Sequence, residues 1–192
     1  MKKNTLPATL LFTLVALLSF SVWALGSRLY SSEIGMYTIC ALVFFGLGGL
    51  TLIPGSGIAG RKAVAGFCIR FALGFTGYAA IWTTAWFTFR NTFGEVIGSF
   101  LGLVILVAAL RRGVSSTHDF LTAVAVVFLW HTLGYYTGGL AYQTLQNGGV
   151  FAVELPFDRA TVVTLARFSW GLFYGLGLGY GLVRITRGHQ RN

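Results

Sequence analysis

Three ionisable side chains interrupt the apolar segments of this sequence: Arg70, His131 and Arg167. A charge at the centre of a bilayer costs about 2.5–3.5 kcal/mol on insertion scales. Each of these residues therefore indicates a functional role, unless a structural contact accounts for it. The arginines could bind an anionic group, and the histidine could relay a proton because imidazole changes charge near neutral pH. The structural alternatives are an arginine that extends to the interface or pairs between helices, and a neutral histidine hydrogen-bonded to a neighbouring helix.

A carboxylate and several aromatic side chains form a second group of candidates. Glu95 could pair with Arg167 or Arg90, although the segment Thr92-Phe93-Gly94-Glu95 also fits a capping box that begins a helix. Tyr78, Trp82 and Trp86 follow one another at helical spacing, and deep aromatic rings could line a cavity or simply fill the core. Together these considerations give a predicted ligand-binding set of Arg70, His131, Arg167, Glu95, Trp82, Trp130, Tyr135 and Trp170.

Six apolar segments must position these residues. Of the 192 residues, 55% are hydrophobic and only 10% are charged, whereas a soluble domain has about 25% charged residues. A bilayer span needs about 20 apolar residues, and the segments of that kind are 6–26, 35–54, 63–88, 94–110, 119–141 and 161–183. Because lipid offers the backbone no hydrogen-bond partner, the sequence predicts an all-α, polytopic transmembrane helix bundle that forms one domain, with its longest outer loop at 142–160.

The basic residues predict how the bundle is oriented. A net charge of +9 would suggest nucleic-acid binding in a soluble protein, but here the charges separate by side, as the positive-inside rule describes. Nine fall at one end of the spans (Lys2, Lys3, Arg61, Lys62, Arg111, Arg112, Arg184, Arg187, Arg191) and three at the other (Arg28, Arg90, Arg159). We therefore expect both termini in the cytoplasm, a bacterial inner (plasma) membrane location and no nucleic-acid partner.

The first segment has an alternative interpretation. Lys2 and Lys3, an apolar run and then Val22-Trp23-Ala24 also fit a cleavable signal peptide. Cleavage would leave five spans and an outer N-terminus, with the remaining segments oriented as before.

Glycines recur at every fourth position on three of the segments. Residues four apart lie on one face of a helix, so each row forms a groove that another backbone can approach closely. The rows are Gly94, Gly98 and Gly102; Gly134 and Gly138; and Gly171, Gly175 and Gly179. They predict either packing within the chain or docking of a second copy or another membrane protein.

No motif of an enzyme or a metal site occurs in the sequence. HExxH, GxSxG, a Walker loop and a paired-cysteine motif are all missing, so we predict no catalytic residue, no metal and no cofactor. The first functional hypothesis is a membrane protein that binds or transports a small or lipid-like molecule. The alternative is a non-catalytic accessory or scaffold subunit that docks through its glycine-rich faces. Membrane lipids are expected partners in both cases.

Overall fold

The computed structural model describes residues 5–26, 32–54, 56–111, 116–147 and 156–187. Within these ranges it contains six α-helices and no strand: α1 (Thr5–Gly26), α2 (Glu33–Thr51), α3 (Arg61–Phe89), α4 (Thr92–Leu110), α5 (Thr117–Asn147) and α6 (Arg159–Arg187). Each predicted segment corresponds to one of these helices. Five of them, α1 to α5, are long and apolar enough to cross a membrane. The predicted fold class, a transmembrane bundle of α-helices, is confirmed.

Some of the features used to predict topology lie outside the described residues. These are five of the basic residues (Lys2, Lys3, Arg28, Arg112 and Arg191) and the part of the outer loop at 148–155. The orientation of the bundle and the retention of the first segment therefore stay predictions.

Helix α6 is less apolar than the other five and is not among the helices that qualify as membrane spans by hydropathy, although at 29 residues it is as long as α3. Glycines and arginines lower its hydropathy. The glycines are buried on two sides, because Gly171 and Gly175 face Phe20 and Ala16 of α1 while Gly181 faces Val127 of α5. These glycines are buried inside the protein and present no surface to lipid, so small residues replace bulky apolar ones on this part of α6.

The helix starts follow the expected chemistry with one correction. At α6, the Asp158 carboxylate accepts hydrogen bonds from the backbone N–H groups of Ala160 and Thr161 at 2.9 and 3.0 Å, as a helix N-cap does. At α4, the predicted capping box is wrong. The cap is Asn91, whose Oδ1 accepts from the Gly94 N–H at 3.0 Å. Thr92 is already the first helical residue, so the Glu95 side chain is not engaged in a capping box.

The helices form a ring in chain order. Each packs against its neighbours in the sequence, and α6 closes the ring against α1. The pairs α5–α6 and α3–α4 are the most closely packed, whereas α4 and α5 touch less. Aromatic rings fill the centre, beginning near the predicted inner side with Phe12, Phe44, Phe71 and Phe75.

The three glycine rows account for the close pairs. A Cβ added at Gly98 of α4 would lie 2.8 Å from Ala85 of α3, one at Gly138 of α5 would lie 2.6 Å from Trp170 of α6, and one at Gly175 of α6 would lie 2.8 Å from Ala16. The other row members make similar contacts with the same helices: Gly94 and Gly102 with α3, Gly134 with α6, and Gly171 and Gly179 with α1. The rows therefore pack against helices of the same chain.

Candidate functional site

A polar cluster lies at the centre of the bundle. His131, halfway along α5, is 1% exposed, and its Nε2 lies 2.8 Å from the hydroxyl oxygen of Tyr78 on α3. That hydroxyl also interacts with the hydroxyls of Ser99 on α4 and Tyr174 on α6. Four helices thus each contribute one polar group to a region surrounded by apolar side chains.

The second nitrogen of His131 has no hydrogen-bond partner among the described residues. A neutral imidazole carries one N–H and one lone pair, so Tyr78 can satisfy only one of the two nitrogens in either tautomer. Leaving a buried polar atom unpaired costs about 1–3 kcal/mol. The ring itself is held on two sides, by Tyr135 stacked at 5.8 Å and by Tyr174 edge-on at 5.6 Å.

A cleft of about 460 Å³ opens above this cluster, between the N-terminal end of α4 and the C-terminal half of α5, on the side that the basic residues predict to be the outer one. Ligand sites in proteins typically have volumes of about 300–1,000 Å³. We call it the outer cleft, and it is lined by Trp86, Asn91, Thr92, Glu95, Tyr135, Tyr136, Gly139, Leu140, Gln143 and Trp170. Aromatic and neutral polar groups dominate these ten described residues, and Glu95 is the one charged residue among them.

A tight turn brings Glu95 to the outer cleft. Arg90, the C-cap of α3, lies in the left-handed backbone region with φ of 50°, and the next residue, Asn91, is the N-cap of α4. Glu95 therefore lies in the first turn of α4, where the helix dipole favours a negative charge. Its Oε1 accepts a hydrogen bond from the Tyr135 hydroxyl at 3.3 Å, and the Tyr136 hydroxyl also interacts with the carboxylate.

No basic side chain pairs with Glu95 in the part of the chain that the structure describes, where the single ion pair joins His118 and Asp119. The predicted pairing with Arg167 does not form. Arg167 donates to the backbone oxygen of Trp23 on α1 at 3.0 Å, and its guanidinium lies 4.7 Å from the centre of the Trp23 ring. The Glu95 carboxylate is therefore held by tyrosine hydroxyls and by the helix terminus.

An aromatic layer joins Arg167 to the outer cleft. Trp23 packs edge-on against Trp170 at 6.2 Å and stacks on Tyr142 at 6.1 Å, and Trp170 packs against Tyr135 at 5.8 Å. Trp82 closes the layer on the other side, at 6.3 Å from Tyr135 and stacked on Trp86. Arg167 thus lies at the opposite end of this layer from Glu95 and links α6 to α1.

Two predicted site residues stay apart from the others. Arg70 lies eight residues before Tyr78 on α3, a distance of about 12 Å along the helix, and its Nε finds no acceptor in the described ranges. Trp130 is 37% exposed on the outside of α5, where it packs edge-on against Tyr180 at 4.5 Å. Glu95, Tyr135 and Trp170 line the outer cleft, while His131 and Trp82 contact Tyr135 from below and from the side.

The sequence did not identify Tyr78, Tyr136 or Tyr174 as site residues. Tyr78 stood out only as part of an aromatic stripe, and its contact with His131 spans 53 positions. No local pattern encodes such a pairing, because it depends on how two distant helices are rotated. In the described residues, no group of three histidines, cysteines or carboxylates lies close enough to hold a metal.

These features define a membrane-spanning helical bundle with an aromatic cleft, in which the Glu95 carboxylate has no basic partner among the described residues. The chain matches no protein-family model, no curated protein sequence and no solved structure.

Proposed function

We propose that this is a multi-pass protein of the bacterial inner membrane that binds a small molecule in the outer cleft. The proposal depends on one observation above all. Glu95 from α4, Tyr135 from α5 and Trp170 from α6 meet at a single cleft, and Glu95 has no basic partner among the described residues. The partial burial of a carboxylate beside aromatic rings, with no counter-charge, is costly unless a ligand compensates it.

The shape of the site favours access from the outer side. The outer cleft lies at the C-terminal ends of α3 and α5 and at the N-terminal end of α4, the side on which the charge distribution predicts few basic residues. Below it, the rings of Tyr135 and His131 and then of Tyr78 and Phe75 pack against one another. Binding needs only the outer opening. Transport would in addition require these rings to separate.

A substitution that fills the outer cleft tests the proposal without knowledge of the ligand. A side chain added at Gly139 would meet no atom within 4 Å, so Gly139→Trp should occupy the cleft without disturbing the helix contacts. Gly46 on α2 is also free of neighbours within 4 Å and is exposed, which makes Gly46→Trp a matched control.

The measurement is thermal unfolding of the purified protein against a chemically diverse library of small molecules. A thiol-reactive dye can follow it, because Cys40 and Cys68 are free and partly buried. We expect some compounds to raise the midpoint of the wild type and of Gly46→Trp but not that of Gly139→Trp. A library in which every stabilising compound acts equally on Gly139→Trp would refute the outer cleft as the binding site.

A further inference from the structure

We propose that the outer cleft selects an organic cation, an ammonium group attached to an apolar body, with Glu95 as its counter-ion. This inference rests on the proposed function and names the class of ligand. The charge balance of the lining is the first argument. Its ten residues include one carboxylate and no lysine or arginine. An anionic ligand would face an uncompensated negative charge there, whereas a cation would complete the pair that the described residues leave open.

The aromatic walls are the second argument. Trp86, Tyr135, Tyr136 and Trp170 line the same cleft as Glu95. The faces of tryptophan and tyrosine rings carry negative electrostatic potential and attract cations, and aromatic cages of this kind recognise quaternary ammonium groups. The protein uses the same interaction nearby, since the Arg167 guanidinium lies over the Trp23 ring at 4.7 Å.

The rim of the outer cleft indicates the rest of the ligand. Leu140 and Tyr136 belong to the lining and are 49% and 38% exposed. Both lie on α5, whose face turned away from the bundle is expected to contact lipid. A ligand seated against them can extend an apolar portion toward the bilayer. Asn91, Thr92 and Gln143 supply neutral hydrogen-bonding groups at the outer end. The lining therefore fits an amphipathic cation better than a small hydrophilic one.

Three probes with a common phenylethyl group separate the contribution of charge from that of size. They are the cation 2-phenylethyltrimethylammonium, the neutral 3-phenylpropanamide and the anion 3-phenylpropanoate. The radiolabelled cation is bound to the full chain in nanodiscs of zwitterionic lipid, and the other two compounds compete with it. We expect the cation to bind at least tenfold more tightly than either competitor.

Matched variants assign the selectivity to residues. Glu95→Gln keeps an acceptor for Tyr135 but removes the charge, and should weaken binding of the cation by about tenfold or more. Asp158→Asn removes another outer carboxylate, at the cap of α6, and should leave binding unchanged. Tyr136→Leu should weaken binding, whereas Tyr136→Phe keeps the ring and should preserve it.

The possible results distinguish the two proposals. If the amide or the anion binds as tightly as the cation, and Gly139→Trp abolishes that binding, the inference about charge is wrong and the outer cleft remains the site. If Glu95→Gln and Asp158→Asn have equal effects, general surface charge explains the preference and the inference is also overturned. If none of the probes binds the wild type better than Gly139→Trp, selection of organic cations is refuted, and the library experiment tests the cleft independently.

Discussion

Removing the Tyr78 hydroxyl should destabilise the protein through His131. Tyr78 is 6% exposed and His131 1% exposed, so water cannot replace the hydrogen bond between them. In Tyr78→Phe both imidazole nitrogens would lack a partner in the described part of the chain. An unsatisfied buried polar group costs about 1–3 kcal/mol, but side-chain hydrogen bonds in membrane proteins average only about 0.6 and reach about 1.7 kcal/mol. We expect a loss of about 1–2 kcal/mol.

His131→Leu, which completes a double-mutant cycle with Tyr78→Phe, should lower the free energy of unfolding by less. Leucine fills a similar space and removes the unpaired nitrogen, while the Tyr78 hydroxyl keeps its interactions with Ser99 and Tyr174. We expect a loss of less than about 1 kcal/mol, in the range of membrane-protein hydrogen bonds. Because the two residues share one hydrogen bond, the double variant should be about 1 kcal/mol more stable than the sum of the single effects.

Equilibrium unfolding in mixed micelles with increasing dodecyl sulfate, followed by far-ultraviolet circular dichroism, measures these free energies. Tyr180→Phe is the control. The Tyr180 ring also packs against another aromatic ring, that of Trp130, but its hydroxyl makes no hydrogen bond within the described ranges. Its effect should stay within about 0.5 kcal/mol, as for a substitution that removes no specific interaction. Strictly additive effects of Tyr78→Phe and His131→Leu would show that the pair does not form.

Three further predictions concern the helix contacts. Gly175→Leu should sharply reduce the yield of folded protein, because even its Cβ would lie 2.8 Å from a side chain of α1. Gly46→Leu, where no atom lies within 4 Å, should be tolerated. Size-exclusion profiles in mild detergent measure the folded yield of both variants. Arg167→Lys should lower stability by about 1 kcal/mol in the micelle assay, because lysine cannot donate to the α1 carbonyl while stacking on the indole ring; an unchanged midpoint would contradict this role. Asp158→Ala should lower the thermal midpoint at neutral pH, since a hydrogen bond from the Thr161 hydroxyl and then backbone N–H groups hold the pKa of the Asp158 carboxyl below its ordinary value. That stabilisation is present above the unfolded pKa of about 3.9 and is lost as pH falls through the lower folded pKa. The thermal midpoints of the variant and the wild type should therefore become equal in acid. A difference in midpoint that persists there would contradict the capping role of Asp158.

The sequence predicted the helices well because, for five of the six, hydropathy and length alone specify a span. It placed the N-cap of α4 one residue too late, at Thr92 instead of Asn91. Both residues are good caps, and only the extended backbone at Asn91 decides between them. That single residue changes the interpretation of Glu95, since a capping box would have engaged its carboxylate. Three of the ten described residues that line the outer cleft were predicted (Glu95, Tyr135 and Trp170), as residue types without their partners.

The partners depend on helix rotation, which no local pattern contains. The sequence offers Arg167 and Arg90 as possible partners of Glu95, yet Arg167 extends toward α1 and donates to the Trp23 carbonyl. Trp130 and His131 are adjacent in the sequence, but a step of one residue turns a helix by about 100°. His131 consequently faces the centre of the bundle while Trp130 is partly exposed.

A missing glycine row between α4 and α5, together with the isolated Gly139, accounts for the position of the outer cleft. Glycine rows draw α4 onto α3, α5 onto α6 and α6 onto α1, because small residues let helix backbones approach. No such row lies between α4 and α5. There Phe100 and Phe128 meet edge-to-face at 5.4 Å and hold the two helices apart, while Gly139 leaves the space near the outer end unfilled. The same rows that close the bundle on three sides therefore leave the opening in which Glu95 is accessible.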